Sequence, residues 1–123
     1  MTVRRAALAC LAALVSVSAA RAQDAAAGEA VFKRNCTACH SPLSGKNVVG
    51  PSLFGVVGRA AGTVPNYGDS NANKTSGITW TPETLDPYLT NPRGVVPGTI
   101  MAFPGFKDAR QRADLIAYLS ALR

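Results

Sequence analysis

The chain has 123 residues, room for one small domain, and carries 13 Lys and Arg against 7 Asp and Glu, a formal charge of +6. Arg4, Arg5 and Arg21 belong to an N-terminal segment that reads as an export signal, so the remaining domain keeps ten basic and seven acidic residues, a charge of only +3. That charge is spread over Lys33, Arg34, Lys46, Arg59, Lys74 and Arg93 rather than run together, which removes the electrostatic case for nucleic acid as a partner.

Residues 1–22, MTVRRAALACLAALVSVSAARA, have a basic start, an apolar run from Ala6 to Val17, and small residues ending in Ala20-Arg21-Ala22. They are expected to be a signal peptide, cleaved to leave residues 23–123 as the mature domain in the periplasm. The apolar run is shorter than the about 20 residues of a membrane span, so no stable membrane insertion is expected after cleavage. Cys10 leaves with the signal. The exported domain then holds two cysteines, Cys36 and Cys39, too close in sequence to close a useful disulfide loop.

The mature chain opens with DAAAGEAVFKRNC, where Ala27, Val31 and Phe32 fall on one helical face and no proline intervenes. From Ser41 to Trp80 it is rich in Gly, Pro, Asn and Ser, with turn signals at SPLSG, VGPS, GRAAG and VPNYGDSN and almost no strand alternation. So long a loop region fits a compact domain only if it wraps something large and apolar that supplies the missing core. A shorter helix is expected within TPETLDPYLTN, with Thr81 as cap and Pro82 at the first helical position; Pro87 either interrupts it or starts a second turn. The last helix, DARQRADLIAYLSALR, is the clearest: Asp108 caps it, and Leu115, Ile116, Leu119 and Leu122 make an apolar stripe. The two terminal helices are expected to pack together, in a mainly α domain.

NCTACHSP holds both mature cysteines and the domain's one histidine, His40. Zinc needs four ligands, and the mature chain offers no second cysteine pair or further histidine. A thioredoxin-like dithiol expects C-x-x-C at a helix start after a strand, whereas this motif follows a helix-like segment. Covalent haem attachment needs what is present: two thiols spaced to add across the two vinyl groups of one porphyrin, and a histidine carried under the ring to ligate iron. The sixth ligand follows from inventory. Met101, in VPGTIMAFPG, is the mature domain's one methionine, about 60 residues after the motif, and its soft thioether favours ferrous iron.

With these features in place, the sequence resembles the class I c-type cytochromes, of the soluble bacterial kind close to mitochondrial cytochrome c. The resemblance covers residues 27–122 and rests on GEAVFKRNCTACH, GPSLFGVVGR followed by AG, ANKTSGITW, YLTNP, PGTIMAF and RADLIAYL, in the family's order. It implies a small all-α fold with crossing terminal helices and loops wrapped around one haem c, and single-electron carriage rather than enzyme activity. It further implies thioether bonds at Cys36 and Cys39, axial ligation by His40 and Met101, and a Pro51 carbonyl that accepts from the His40 ring. Trp80, Arg59 and Tyr67 match positions that satisfy haem propionates. Asn73, Tyr88 and Thr99 match residues that hydrogen-bond on the methionine side, and Gly28, Phe32 and Leu115 match the helix crossing.

Two departures stand out. Ile100 replaces a lysine often found before the ligand methionine, and Asp69 stands where close relatives commonly have a propionate-bonding tyrosine. Lys33, Lys46 and Lys107 remain to flank an exposed haem edge. The resemblance implies a monomer that docks redox proteins there, between a quinol–cytochrome c reductase or periplasmic dehydrogenase and a terminal oxidase or photosynthetic reaction centre. The alternatives are a dedicated haem subunit of a periplasmic dehydrogenase complex, and a ligand-binding or peroxidatic haem protein with an open sixth site.

Overall fold

Asp24 starts the first helix. Its carboxylate accepts from the amides of Ala26 (2.9 Å) and Ala27 (3.1 Å), satisfying two of the donors a helix start leaves open. The computed structural model describes residues 23–123, so the expected signal segment 1–22 lies outside the described residues. Helix α1 spans Ala25–Asn35 and ends with Lys33 and Arg34, cations that suit the negative end of its dipole. It is followed by α2 (Asn71–Lys74), α3 (Pro82–Thr90), α4 (Pro92–Val95) and α5 (Ala109–Ala121). Among the described residues β structure is confined to an isolated bridge between Ala60 and Thr79. The fold is mainly α, as the sequence implies.

Helices α1 and α5 cross where the backbone of Gly28 meets the backbone carbonyl of Asp114. A Cβ on residue 28 would overlap that carbonyl, so the closeness of the crossing depends on glycine. Phe32 stacks at a tilt on Tyr118, with centroids 5.3 Å apart, and Val31, Phe32, Leu115, Ile116 and Leu119 are buried in the contact. The Asp114 side chain, itself buried, accepts from the Asp24 amide at 3.0 Å and pairs with Arg110 at 3.1 Å, tying the start of α1 to α5.

Pro87 lies inside α3 without ending it. A capping box secures the start: Thr84 N donates to Thr81 Oγ1 at 3.2 Å, and Thr81 N to Thr84 Oγ1 at 2.8 Å. The proline withholds one N–H from the helix ladder, at the carbonyl of Glu83 on an exposed turn that water can reach. Asn91 both ends α3 and caps α4, where Pro92 takes the first helical position. Arg112 holds α5 to α3 through Asp86 (2.8 Å) and to the preceding segment through the Phe106 carbonyl (3.0 Å). Leu85 and Leu89 thereby join the α1–α5 core from the side.

Candidate functional site

The turn after α1 carries the motif. Cys36 N donates to Phe32 O at 2.8 Å, Cys39 N to Cys36 O at 3.1 Å, and His40 N to Cys36 O at 2.8 Å, so both cysteines and the histidine sit on one continued helical turn. Cys36 and Cys39 are not joined in a disulfide. Burial, and then the neighbouring Cys39, push the Cys36 thiol up to about 11. A dithiol redox centre needs a thiol made acidic by its surroundings, and this one is made less acidic. Among the described residues no group of three or more His, Cys, Asp and Glu is gathered as a metal cluster.

His40 is held from below by the loop that follows it. Its Nδ1 lies 2.8 Å from the carbonyl oxygen of Pro51, and because a carbonyl can only accept, Nδ1 carries the proton and Nε2 keeps its lone pair. Burial lowers the pKa of His40, the Pro51 bond opposes that, and the charge of Arg59 lowers it further. The neutral imidazole is the ligating form. The loop is locked by Gly50 N donating to Cys39 O (2.6 Å), Leu53 N to Ser41 O (2.9 Å), Ser52 N to Asn47 Oδ1 (2.9 Å) and Ser52 Oγ to Leu43 O (2.6 Å). The Gly50 backbone lies against the imidazole so closely that a Cβ there would fall 2.8 Å from Nδ1.

Beside this turn opens a cavity of about 420 Å³, within the ~300–1,000 Å³ range of cofactor sites. Cys36, Cys39 and His40 line it, and so does Met101 from the segment between α4 and α5. Tyr88 Oη reaches Met101 Sδ at 3.8 Å and is bonded to Thr99, whose own hydroxyl accepts from the Met101 amide at 3.3 Å. Burial raises the Tyr88 pKa; the Thr99 bond opposes the rise and the Asp69 charge adds to it. The walls are apolar: Leu53, Val56, Trp80, Leu85, Leu115 and Phe103 all face in, and Trp80 packs on Tyr88 with centroids 4.6 Å apart.

The polar wall comes from the middle of the chain. Among the described residues Arg59 is the one Lys or Arg lining the cavity; its Nη2 donates to Ser52 O at 2.9 Å and its Nη1 to Phe54 O at 3.4 Å. Burial lowers its pKa and the Asp69 charge opposes this. Tyr67 donates to the Val49 carbonyl at 3.1 Å, linking the two loops that rim the cavity, and Asn73 Nδ2 donates to Asp69 Oδ1 at 2.9 Å. The eleven residues that the motif and the resemblance assign to the cofactor all line this one cavity, while Gly28 and Phe32 lie at the helix crossing. Gly50 was not among the residues so assigned, although the Gly-Pro step beside a ring-packing site was a usable signal; Leu53, Leu85, Leu89 and Phe103 carried none beyond being apolar.

The Cytochrome c family model matches residues 25–123. The chain belongs to the cytochrome c family. It is 49% identical over 100 residues to cytochrome c2 of Rhodopila globiformis, covering 81% of this chain and 94% of that protein. It is 52% identical over 105 residues to cytochrome c2 of Blastochloris viridis, covering 85% and 82%. Among solved structures, cytochrome cH from Methylobacterium extorquens superposes with a TM-score of 0.74 at 49% identity, covering 79% of this chain and 97% of that one. The protein is therefore a class I c-type cytochrome, an electron-transfer protein whose cofactor is covalent haem c.

The cavity fits that group. It offers two thiols on one turn, an imidazole with a free Nε2 lone pair, a thioether, apolar walls for a porphyrin and one cation for its acid edge. Among the described residues no helix is long and apolar enough to cross a membrane.

Proposed function

We propose that this cytochrome is a periplasmic, monomeric electron carrier, exported by residues 1–22. It moves single electrons from a quinol–cytochrome c reductase or periplasmic dehydrogenase to a terminal oxidase or photosynthetic reaction centre. The observation that carries the reading is the pairing of a fixed, neutral His40 with Met101 in the cavity that also holds Cys36 and Cys39. When bound, haem c supplies the reversible ferric–ferrous couple.

The chain's own residues do the rest. Cys36 and Cys39 would hold the haem covalently through their sulfurs, and His40 and Met101 would ligate its iron. Pro51 fixes the His40 ring; the thioether of Met101, steadied by Tyr88 and Thr99, favours the reduced state. Arg59 and Trp80 would hold the propionates, with Tyr67 bracing that edge through the Val49 carbonyl; Asn73, expected on the methionine side, instead binds Asp69. Leu53, Val56 and Leu115 keep water out, which limits the reorganisation each electron transfer demands. Val49 and Ile100, 74% and 67% exposed, line the cavity while facing solvent, so the mouth presents an apolar contact for a partner. Lys33 is paired with Glu29 at 2.7 Å, while Lys46 and Lys107 would add a weak positive field there. Contacts of that kind suit brief docking.

A reduced-minus-oxidised spectrum with a redox titration of the purified holoprotein tests the site. The expected result is a low-spin haem c with a methionine–iron band in the ferric state; high-spin spectra and ready carbon monoxide binding would overturn it. Purification from native periplasm and membranes tests the role. Recovery as a free monomer is expected, and recovery as a stoichiometric subunit of a dehydrogenase would replace the free-carrier reading.

A further inference from the structure

The polar wall of the cavity contains an acid with half its needs unmet. Asp69 Oδ1 accepts from Asn73, while Oδ2 is buried with no hydrogen-bond partner among the described residues. A buried carboxylate oxygen without a donor is costly and calls for an explanation. Arg59 does not supply one. Its charge and that of Asp69 act on each other, yet its guanidinium donates to Ser52 and Phe54, and the ion pairs among the described residues involve Lys33, Arg110 and Arg112.

The cofactor sharpens the conflict, on the reading that Arg59 holds its acid edge. An ionised propionate is acceptor-only, like an ionised Asp69. Placing it on this wall would set two anions against one cation with nothing to donate to Asp69 Oδ2, since the Tyr67 O–H is given to Val49 and Asn73 binds Oδ1. One proton shared by the two acids removes both difficulties: it gives Oδ2 a partner, and it leaves a single negative charge for Arg59.

We propose that Asp69 is a positioning residue that carries a proton in the loaded protein and donates it through Oδ2 to a haem propionate. The groups that act on it do not compete for that proton. Arg59, from the loop before it, remains a cation. Tyr67 beside it and Tyr88 from α3 are pushed by burial further from ionising, and Asn73 from α2 does not titrate. One proton is thus held between Asp69 Oδ2 and the propionate. That shared proton is held more tightly once an electron from a partner protein has lowered the net charge of the site by one. The two acids release it to solvent when the electron leaves. One electron and at most one proton enter together, and no covalent bond other than O–H changes.

The test uses the holoprotein and its Asp69→Asn variant, whose amide can donate but cannot ionise. The reduction potential of each is titrated from about pH 5 to 9. The wild-type potential is expected to fall as pH rises through the shared ionisation, and Asp69→Asn to lose that inflection. Redox-difference infrared spectra should show a protonated-carboxyl band that shifts with isotope-labelled aspartate, a readout that needs no variant. A flat wild-type profile, an inflection that survives in Asp69→Asn, or a labelled aspartate with only carboxylate bands would each overturn the proposal. Failure of the haem site itself would show separately, as loss of the methionine–iron band in the wild type.

Discussion

The Nδ1 of His40 stands 2.8 Å from the carbonyl oxygen of Pro51, and the backbone of Gly50 covers the same ring. The loop thus fixes the tautomer and the ring plane together. A side chain on residue 50 would fall 2.8 Å from Nδ1 and 3.0 Å from Nε2, so Gly50→Val must push the imidazole off its carbonyl. Overpacking of this kind costs about 1–3 kcal/mol, and each kcal/mol lowers the melting temperature of a domain this size by roughly 4–8 °C. Gly50→Val is expected to melt lower and to show an altered ferric spectrum. Pro51→Ala, which keeps the carbonyl, should stay near wild type in spectrum. Circular-dichroism melts and absorption spectra of both variants check this, and a wild-type spectrum in Gly50→Val would contradict it.

On the Met101 side, Tyr88 Oη reaches Sδ at 3.8 Å, a weak contact with a soft acceptor. A donor on the sulfur draws density from it and favours the reduced iron. Tyr88→Phe should therefore lower the reduction potential by less than the roughly 59 mV that marks a tenfold change for one electron. Met101→Ala should lower it more, abolish the methionine–iron band and admit carbon monoxide. Voltammetry and ferric spectra of the two variants decide; an unchanged potential in Met101→Ala would remove it from the ligand set.

How far all this could be read from sequence differs from element to element. The terminal helices were legible because Val31, Phe32, Leu115, Ile116 and Leu119 repeat at helical spacing and are buried where the two helices meet. The motif was legible because its chemistry is local, three residues on one turn. Pro87 was ambiguous, since propensity alone cannot weigh one lost hydrogen bond against the Thr81–Thr84 box and the burial of Leu85 and Leu89. The Asp24 cap of α1 and the short α2 were not foreseen. The Asp69 conflict was visible only as an odd residue type, because its missing donor depends on where Arg59 spends its hydrogen bonds, which no local pattern encodes.

The cofactor is also the core. Residues 23–123 surround a cavity of about 420 Å³. Leu53, Val56, Trp80, Leu85, Leu115 and Phe103 face it, and without the porphyrin their apolar surface stays open to water at a cost of roughly 25 cal/mol per Å², set against a typical domain stability of about 5–15 kcal/mol. Cys36→Ala with Cys39→Ala, expressed without haem attachment, is expected to yield a chain with little cooperative structure. Far-ultraviolet circular dichroism and urea titration check it. Near-native helicity with a sharp transition would mean that the loops close without the porphyrin.

The mouth of the cavity sets how charge steers a partner. Ile100 is 67% exposed and lines the cavity one residue before Met101, so Ile100→Lys adds a cation at the contact without burying it. A trivalent anion about 10 Å away gains on the order of 1 kcal/mol from one such charge in water before screening, which is several-fold in rate. Oxidation of the reduced protein by ferricyanide should therefore speed up several-fold at low ionic strength in Ile100→Lys. Its rate should fall more steeply with salt than the wild type and converge on it near 1 M, where the Debye length is about 3 Å. Stopped-flow rates across a salt series measure both slopes. Equal slopes would place the electron's exit away from Ile100, and a wild type already as steep would mean that Lys46 and Lys107 steer as strongly as a lysine at the mouth.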